Sequence, residues 1–171
     1  YQARAFGIES DPWSWRLERA LLKALETRWR EPDHGIWETR GDPRHFTHSK
    51  VMAWVAFDRG VKSVELLGLD GPHERWKKVR AEIHEQVCRE ALDHARNTFT
   101  QSYGSEHLDA SVLVIPHFGF LPANDPRMLG TVAAIEKKLM REGFVLRYAT
   151  ESGADGLPGT DGAFLACTFW L

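Results

Sequence analysis

The sequence predicts an all-α chain with an inner and an outer layer of helices, and three observations lead there. Apolar residues recur at helical rather than alternating spacing through most of the 171 residues. Successive helical segments are by turns half-polar and almost wholly apolar, the pattern of outer helices covering inner ones. No fixed repeat length or repeated motif is visible, which counts against the common helical repeat families. A toroid of helical hairpins or an α-solenoid gives this alternation; a four-helix bundle does not.

The elements follow in order. Asp11-Pro12 reads as a helix start, with Asp as the N-cap and Pro in the first turn. Trp15, Leu17, Leu21, Leu22, Leu25 and Trp29 then lie on one amphipathic helix over 13–29. Residues 31–44 have Pro and Gly at both ends and no periodicity, which predicts a loop. A second helix, from 46 or 47 to 67, carries Val51, Trp54, Phe57, Val61 and Val64 and has little polar face, so it is expected to be largely buried. Gly60 in its middle costs helix stability relative to Ala and marks close packing, and Gly68, Gly71 and Pro72 close it. A mostly charged helix over 73–92 has a narrow stripe of Trp76, Val79, Ile83 and Val87 and predicts a solvated outer face. After a loop, a short apolar helix is expected over 109–117 with Asp109 as its cap. Pro126 opens a more polar helix to 142, with Gly143 as C-cap. Residues 144–148 have strand propensity but stand alone. A loop over 149–162, rich in Gly, Asp and Ser, leads into the apolar run 163–171. In a toroid the loops 33–44, 98–108 and 146–162, which precede the inner helices, gather at one end, where rigid helices can hold a site made of loop residues.

The 22 Lys and Arg against 24 Asp and Glu give a net charge of −2, which argues against a nucleic-acid groove or an anionic membrane surface. No apolar run approaches the roughly 20 residues of a membrane span. Two cysteines, Cys88 and Cys167, make no disulfide framework, and a cytoplasmic location is expected. The chain opens at Tyr1 and stops at Leu171 inside an apolar run, so a piece of something longer is expected, incomplete at both ends.

The densest chemistry lies in Gly35-Ile36-Trp37-Glu38. A carboxyl group beside an indole and an isoleucine has surroundings that favour its protonated form, as a general acid near neutral pH requires. Indole faces also stack on the apolar faces of sugar rings, which points towards carbohydrate chemistry. A packing tryptophan next to a solvated loop acid is the plainer alternative, and these four residues alone do not exclude it.

The residues that follow add to the case. Arg44-His-Phe-Thr-His-Ser-Lys-Val-Met-Ala-Trp-Val-Ala56, Gln101-Ser-Tyr-Gly104, Leu108-Asp-Ala-Ser111, Gly119-Phe-Leu-Pro122, Asp125-Pro-Arg127, Arg147-Tyr148, Asp155-Gly-Leu-Pro158 and the run 162–171 come in an order that resembles glycoside hydrolase family 15. The likeness to these glucoamylase-type enzymes covers nearly the whole chain from Asp11 and is strongest for the bacterial branch, which includes some trehalases. It implies an (α/α)6 toroid of twelve helices, of which this chain holds about six, and hydrolysis of α-glucosidic bonds with inversion by two carboxyl groups. By the same resemblance Glu38 matches the general acid, Ile36 and Trp37 match part of the glucose-binding wall, Arg147 matches an arginine that binds sugar hydroxyls, and Phe164 falls where fungal members have an aromatic lining residue. Gly35 and Thr39 depart from the acidic residues of fungal members. The general base would lie beyond Leu171, so the isolated chain is expected to be inactive, and half a toroid is expected to associate through exposed inner-helix residues such as Trp54, Val112, Val114, Phe164 and Trp170.

Other groups attract other readings. His45 and His48, with Asp42 or His34, have the spacing to approach a metal but lack the further ligands a zinc site needs, so no metal and no cofactor is expected. His45, His48 and His84 would serve a sugar epimerase on a similar toroid, and a non-catalytic helical scaffold is the remaining alternative. Ser102, Ser105, His107 and Asp109 lie too close along the chain for a nucleophile triad and lack its elbow. Cys167 reads as a buried small hydrophobe and Cys88 as partly buried. Lys50 is either a snorkelling surface residue or a polar neighbour of Glu38.

Overall fold

Helical periodicity becomes six α-helices and one 3-10 helix in the computed structural model, which describes residues 1–8, 12–149 and 162–171. They are α1 (Gln2–Ala5), α2 (Pro12–Arg28), α3 (Thr47–Leu67), α4 (His73–Glu90), the 3-10 helix Ala110–Val114, α5 (Pro126–Leu139) and α6 (Leu165–Trp170). The expected cap Asp11, most of the loop 149–162 and the motif Asp155-Gly-Leu-Pro158 lie outside the described residues.

α3 is the centre of the core. Val51, Phe57 and Val61 are fully buried on it, and it packs along α4 through Trp76, Ile83 and Val87. The short connection between the two makes them antiparallel neighbours, and Gly68, in the left-handed conformation, closes α3 so that the next residue, Leu69, donates its N–H to the Ser63 carbonyl at 3.2 Å. α2 lies on the other side, where Trp15 meets Trp76 edge-on at 6.0 Å and donates its Nε1–H to the Asp70 carbonyl. Gly60 sits at this crossing, and a Cβ there would come within 2.8 Å of Leu22, so the close approach read from the sequence is real. The one acid buried in α3, Asp58, is offset by Arg59, by Lys62 one turn on and by Arg80 of α4 at 3.0 Å. That arrangement meets the general requirement that a buried charge be paired.

Lys50 fits neither of its two expected places. It is buried, and its ammonium donates to the carbonyls of Trp29 at 2.7 Å and Glu31 at 2.5 Å. A cation there satisfies carbonyls left open where α2 ends and ties that end to the first turn of α3. Burial holds its pKa below the usual lysine value, with Asp33 and Glu31 acting in the other direction.

The second half differs from expectation in three places. α4 ends at Glu90 because Leu92 and Asp93 (β1) turn into a two-residue ladder with Thr98 and Phe99 (β2). The apolar helix expected over 109–117 is the 3-10 helix Ala110–Val114, wholly buried. Its β-branched residues disfavour a longer α-helix, and Pro116 has no N–H with which to continue one. α5 stops at Leu139, not at Glu142. Met140–Arg141 (β3) pairs antiparallel with Phe144–Val145 (β4), so the strand-prone segment has a partner after all. Glu142 and Gly143 both take positive φ, 49° and 84°, the geometry of a tight hairpin turn, and this is what Gly143 is used for instead of a helix cap. These two short ladders leave the class all-α.

α5 is fixed at both faces. Asp125 caps it, and the hydrogen-bonded Arg127 guanidinium holds the Asp125 carboxyl down at about 2. Thr131 accepts the Phe99 N–H at 2.9 Å, and a Cβ on Gly130 would lie 2.3 Å from the Asn97 carbonyl oxygen, so the helix rests directly on the β1–β2 turn. The layers alternate as expected: α2, α4 and α5 are amphipathic, while α3 and the 3-10 helix are lined by buried residues. Trp54, Val112 and Val114 are buried inside the chain rather than left open, because Phe120 covers Trp54 edge-on at 5.0 Å and α5 and α6 cover the 3-10 helix.

His84 packs against Phe120, with ring centroids 4.5 Å apart. Burial lowers its pKa from 6.5, with Arg127 acting in the same direction and a hydrogen bond to the Phe120 backbone opposing it. The unfolded chain therefore binds more protons than the folded one below the ordinary histidine value, and stability falls as pH drops through that value towards the folded one. Urea unfolding from about pH 7 to about pH 5 is expected to show this loss, and His84→Phe to flatten part of it. An unchanged slope in His84→Phe would remove His84 from the account.

Candidate active site

Three loops meet where the inner helices begin. Thr47 donates its N–H to the Gln101 carbonyl at 2.9 Å and Tyr103 to the His45 carbonyl at 3.1 Å, joining the loop after α2 to the loop after β2. Asp109 pairs with Tyr148, and Ala110 donates to the Arg147 carbonyl at 2.8 Å, joining the second loop to the segment after β4. The gathering expected from the sequence is observed for the described part of these loops.

The first loop is shaped by Asp33. One of its carboxylate oxygens accepts the Gly35 N–H at 2.6 Å and the Ser49 hydroxyl at 2.7 Å, and its backbone pairs with Arg44. Gly35 takes φ +68° with the Phe46 ring against it, where a Cβ would come within 2.9 Å. Both facts call for glycine. The turn over 35–38 ends on Glu38, which itself has φ +49°, a conformation L-residues seldom adopt.

Trp37 is the hub. Its indole N–H lies 3.0 Å from each oxygen of the Asp109 carboxylate. Tyr148, Phe164 and Trp170 surround the ring, with centroids at 6.4, 5.9 and 6.3 Å. The Arg147 guanidinium stands over both Trp37 and Tyr148 at 5.3 Å. Three of the residues singled out in the sequence, Trp37, Arg147 and Phe164, are thus one cluster. Ile36 is directed elsewhere. It is half-exposed and lines an open cavity of about 420 Å³ with Leu25, Gly35, His48, Met52 and Ala53.

Glu38 differs from expectation in its surroundings. Trp37 is drawn to Asp109 and Ile36 to the cavity, so neither shields the Glu38 carboxyl, which is exposed and makes no side-chain hydrogen bond or ion pair among the described residues. The three histidines of the epimerase reading have three different environments: His45 stacks on Tyr103, His48 lines the cavity beside Ile36, and His84 packs on Phe120. Burial holds the His48 pKa below the usual histidine value, against the pull of Asp109 and Asp33. Burial likewise lowers His45, with Lys50 adding to it. It also pushes the Cys167 thiol up to about 11, as suits a small buried hydrophobe.

Asp109, Gln101 and Asp33 were not singled out as site residues. Asp109 was visible as a cap, which it is: it accepts the Ser111 N–H at 2.8 Å. What pointed further was a carboxylate inside the apolar stretch Leu108-Asp-Ala-Ser-Val-Leu, a place where a charge needs several partners.

With this geometry described, comparison with known proteins gives a consistent result. The sequence model of glycosyl hydrolases family 15 matches residues 1–171. A trehalase of Mycobacterium tuberculosis is 47% identical over 155 residues, 91% of this chain and 22% of that protein. A trehalase of Thermoplasma volcanium is 40% identical over 168 residues, covering 98% and 26%, and one of Mycolicibacterium smegmatis is 45% identical over 157, covering 92% and 23%. The chain thus spans about a quarter of the length of the relatives it matches. Among solved structures, a glycosidase variant in complex with glucose aligns with TM-score 0.64 at 24% identity, covering 73% of this chain and 33% of that one. The wild-type glycosidase aligns with 0.63. These shared folds agree with the alternating inner and outer helices, the arrangement of an (α/α)6 toroid.

The left-handed backbone at Glu38 gives a direct test. Glu38→Gly is expected to be more stable than Glu38→Ala by about 1 kcal/mol in denaturant unfolding, because glycine alone adopts this conformation without penalty. Equal stabilities would mean that the turn relaxes once the side chain is removed.

Proposed function

The chain belongs to glycosyl hydrolase family 15, and we propose that its 171 residues are part of one catalytic domain that hydrolyses an α-glucosidic bond, with trehalose the first substrate. The observation that carries this reading is the turn over 35–38. Its Trp37 indole is held by the buried Asp109 carboxylate, while the neighbouring Glu38 is exposed and has no side-chain partner among the described residues. The trehalase relatives, at 40–47% identity, favour trehalose over a longer glucan.

In this mechanism the sugar packs against the Trp37 and Phe164 rings and hydrogen-bonds to Arg147. Ile36, which the family resemblance also assigns to that wall, lines the separate cavity beside His48 and Met52. Glu38 gives its proton to the glycosidic oxygen as the bond to the anomeric carbon breaks, and water adds to that carbon from the opposite face. The water requires a second carboxylate, roughly 6.5–9.5 Å from the first in an inverting enzyme. We place that base outside these 171 residues, where the family resemblance puts it, and the isolated chain is accordingly inactive. Sugar-ring chemistry on a soluble glucoside also needs no nucleic acid, membrane or cofactor, and no described helix is long and apolar enough to cross a membrane.

The test is glucose release from trehalose, maltose and isomaltose by the full-length protein, with Glu38→Gln as the variant. Trehalose is expected to be the best substrate, and the isosteric change to lower kcat by roughly 10²–10⁴ with little change in KM. Glu38→Gln at wild-type rate would remove Glu38 as the acid, and no glucose from any of the three would remove the activity.

The exposed faces support self-association of the isolated chain, through Leu165 and Phe169 of α6 together with Phe164, Met52 and Leu21. Sedimentation velocity is expected to show oligomers. A single monomeric species would retire that contact.

A further inference from the structure

We infer that Asp109 is a positioning residue that sets the Trp37 indole, and with it the sugar-binding wall, beyond its role as cap of the 3-10 helix. The inference rests on the functional reading above. Capping needs one acceptor, and the Ser111 N–H takes it at 2.8 Å. The Asp109 carboxylate does much more. It is 1% exposed, receives the Trp37 indole N–H at 3.0 Å on both oxygens, and accepts from the Gln101 side-chain amide at 3.0 Å. An ionised carboxylate is acceptor-only with about four lone-pair sites, so one group receives three donors from three separate segments. The backbone of the same residue pairs with Tyr148, and that of the next holds Arg147. Two adjacent residues thus anchor the Trp37 indole, through the Asp109 side chain, and the Arg147 backbone, through the Ala110 N–H.

Gln101 is built around this acceptor. It is 2% exposed, its amide nitrogen is given to Asp109, and its side-chain oxygen has no hydrogen-bond partner among the described residues. A buried amide that leaves its oxygen unsatisfied in order to donate is costly, and the donated bond to a charged group is what offsets it. This also predicts which replacement is tolerated. In Asp109→Asn the remaining oxygen still accepts from Ser111 and Trp37, and Gln101 can turn its free oxygen to the new amide. In Asp109→Ser the cap survives, but the side chain is too short for the indole and the glutamine.

The experiment compares Asp109→Ser, Asp109→Asn, Trp37→Phe and the Asp109→Ser/Trp37→Phe pair in the full-length protein. Asp109→Ser is expected to lower kcat/KM on trehalose by roughly 10- to 100-fold, the scale of a misplaced binding group. Asp109→Asn restores most of it, and Asp109→Ser adds little once Trp37→Phe has removed the donor. In protein labelled with 15N-tryptophan, the indole resonance identified by its loss in Trp37→Phe is expected to shift strongly in Asp109→Ser. An unmoved resonance, a serine variant within twofold of wild type, or full additivity in the double variant would each overturn the inference. If the wild-type protein releases no glucose from any glucoside, the functional reading fails on its own, and the indole resonance still decides whether Asp109 sets Trp37.

Discussion

A single buried carboxylate holds the functional end of this chain together. Asp109 receives donors from Trp37, Gln101 and Ser111, and its strand-like backbone pairs with Tyr148. Burying an unpaired carboxylate is prohibitive, so the three donors are a condition for the site to fold at all. That condition brings the loop after α2, the loop after β2 and the segment after β4 to one point. Polar convergence there acts together with packing, since Phe46, Leu108 and Tyr148 of the same segments are buried. The aromatic cluster of Trp37, Tyr148, Phe164 and Trp170 then closes over the bonded indole edge.

Two further buried charges follow the same logic in the scaffold. Asp58 is enclosed by Arg59, Lys62 and Arg80, and Lys50 by the carbonyls of Trp29 and Glu31. Asp58 registers α3 against α4, and Lys50 registers α3 against the end of α2. Removing one partner of such a group leaves the other charge stranded, which is strongly destabilising. With these registers set, the first turn of α3 is fixed, and Asp33 can bond Ser49 on α3 while it shapes the turn that bears Glu38.

Much of this was legible in the sequence, and the divide between legible and hidden is physical. Local periodicity gave α2, α3 and α4 nearly to the residue, since an amphipathic stripe and a glycine cap depend only on neighbours along the chain. The same holds for the close approach at Gly60. Where two local signals competed, the tertiary partner decided. Gly143 serves a hairpin turn as readily as a helix cap, and the choice depends on whether residues 144–145 find a strand to pair with. Lys50 shows the same limit, because the carbonyls it serves lie about twenty residues away in sequence. In the site, motif order marked Trp37, Glu38, Arg147 and Phe164, but not the residue that unites most of them. Asp109 already had a sufficient local explanation as a cap, and its partner Trp37 is distant along the chain. A carboxylate flanked by apolar residues is the feature that exceeded that explanation.

The site's two halves are built to different standards. The aromatic half is held by contacts: Trp37 is bonded at its nitrogen, its ring is flanked by Tyr148, Phe164 and Trp170, and Arg147 is tied through its carbonyl. Glu38 sits one residue away with a left-handed backbone and an exposed side chain that has no partner among the described residues. A left-handed residue in a loop persists only when its surroundings hold it there, and here they do: Asp33 and Phe46 at one end of the turn, Trp37 in its middle and the Thr39 N–H bond to His34 at the other. The turn therefore keeps the Glu38 side chain at the surface, although the tryptophan before it is bonded and packed.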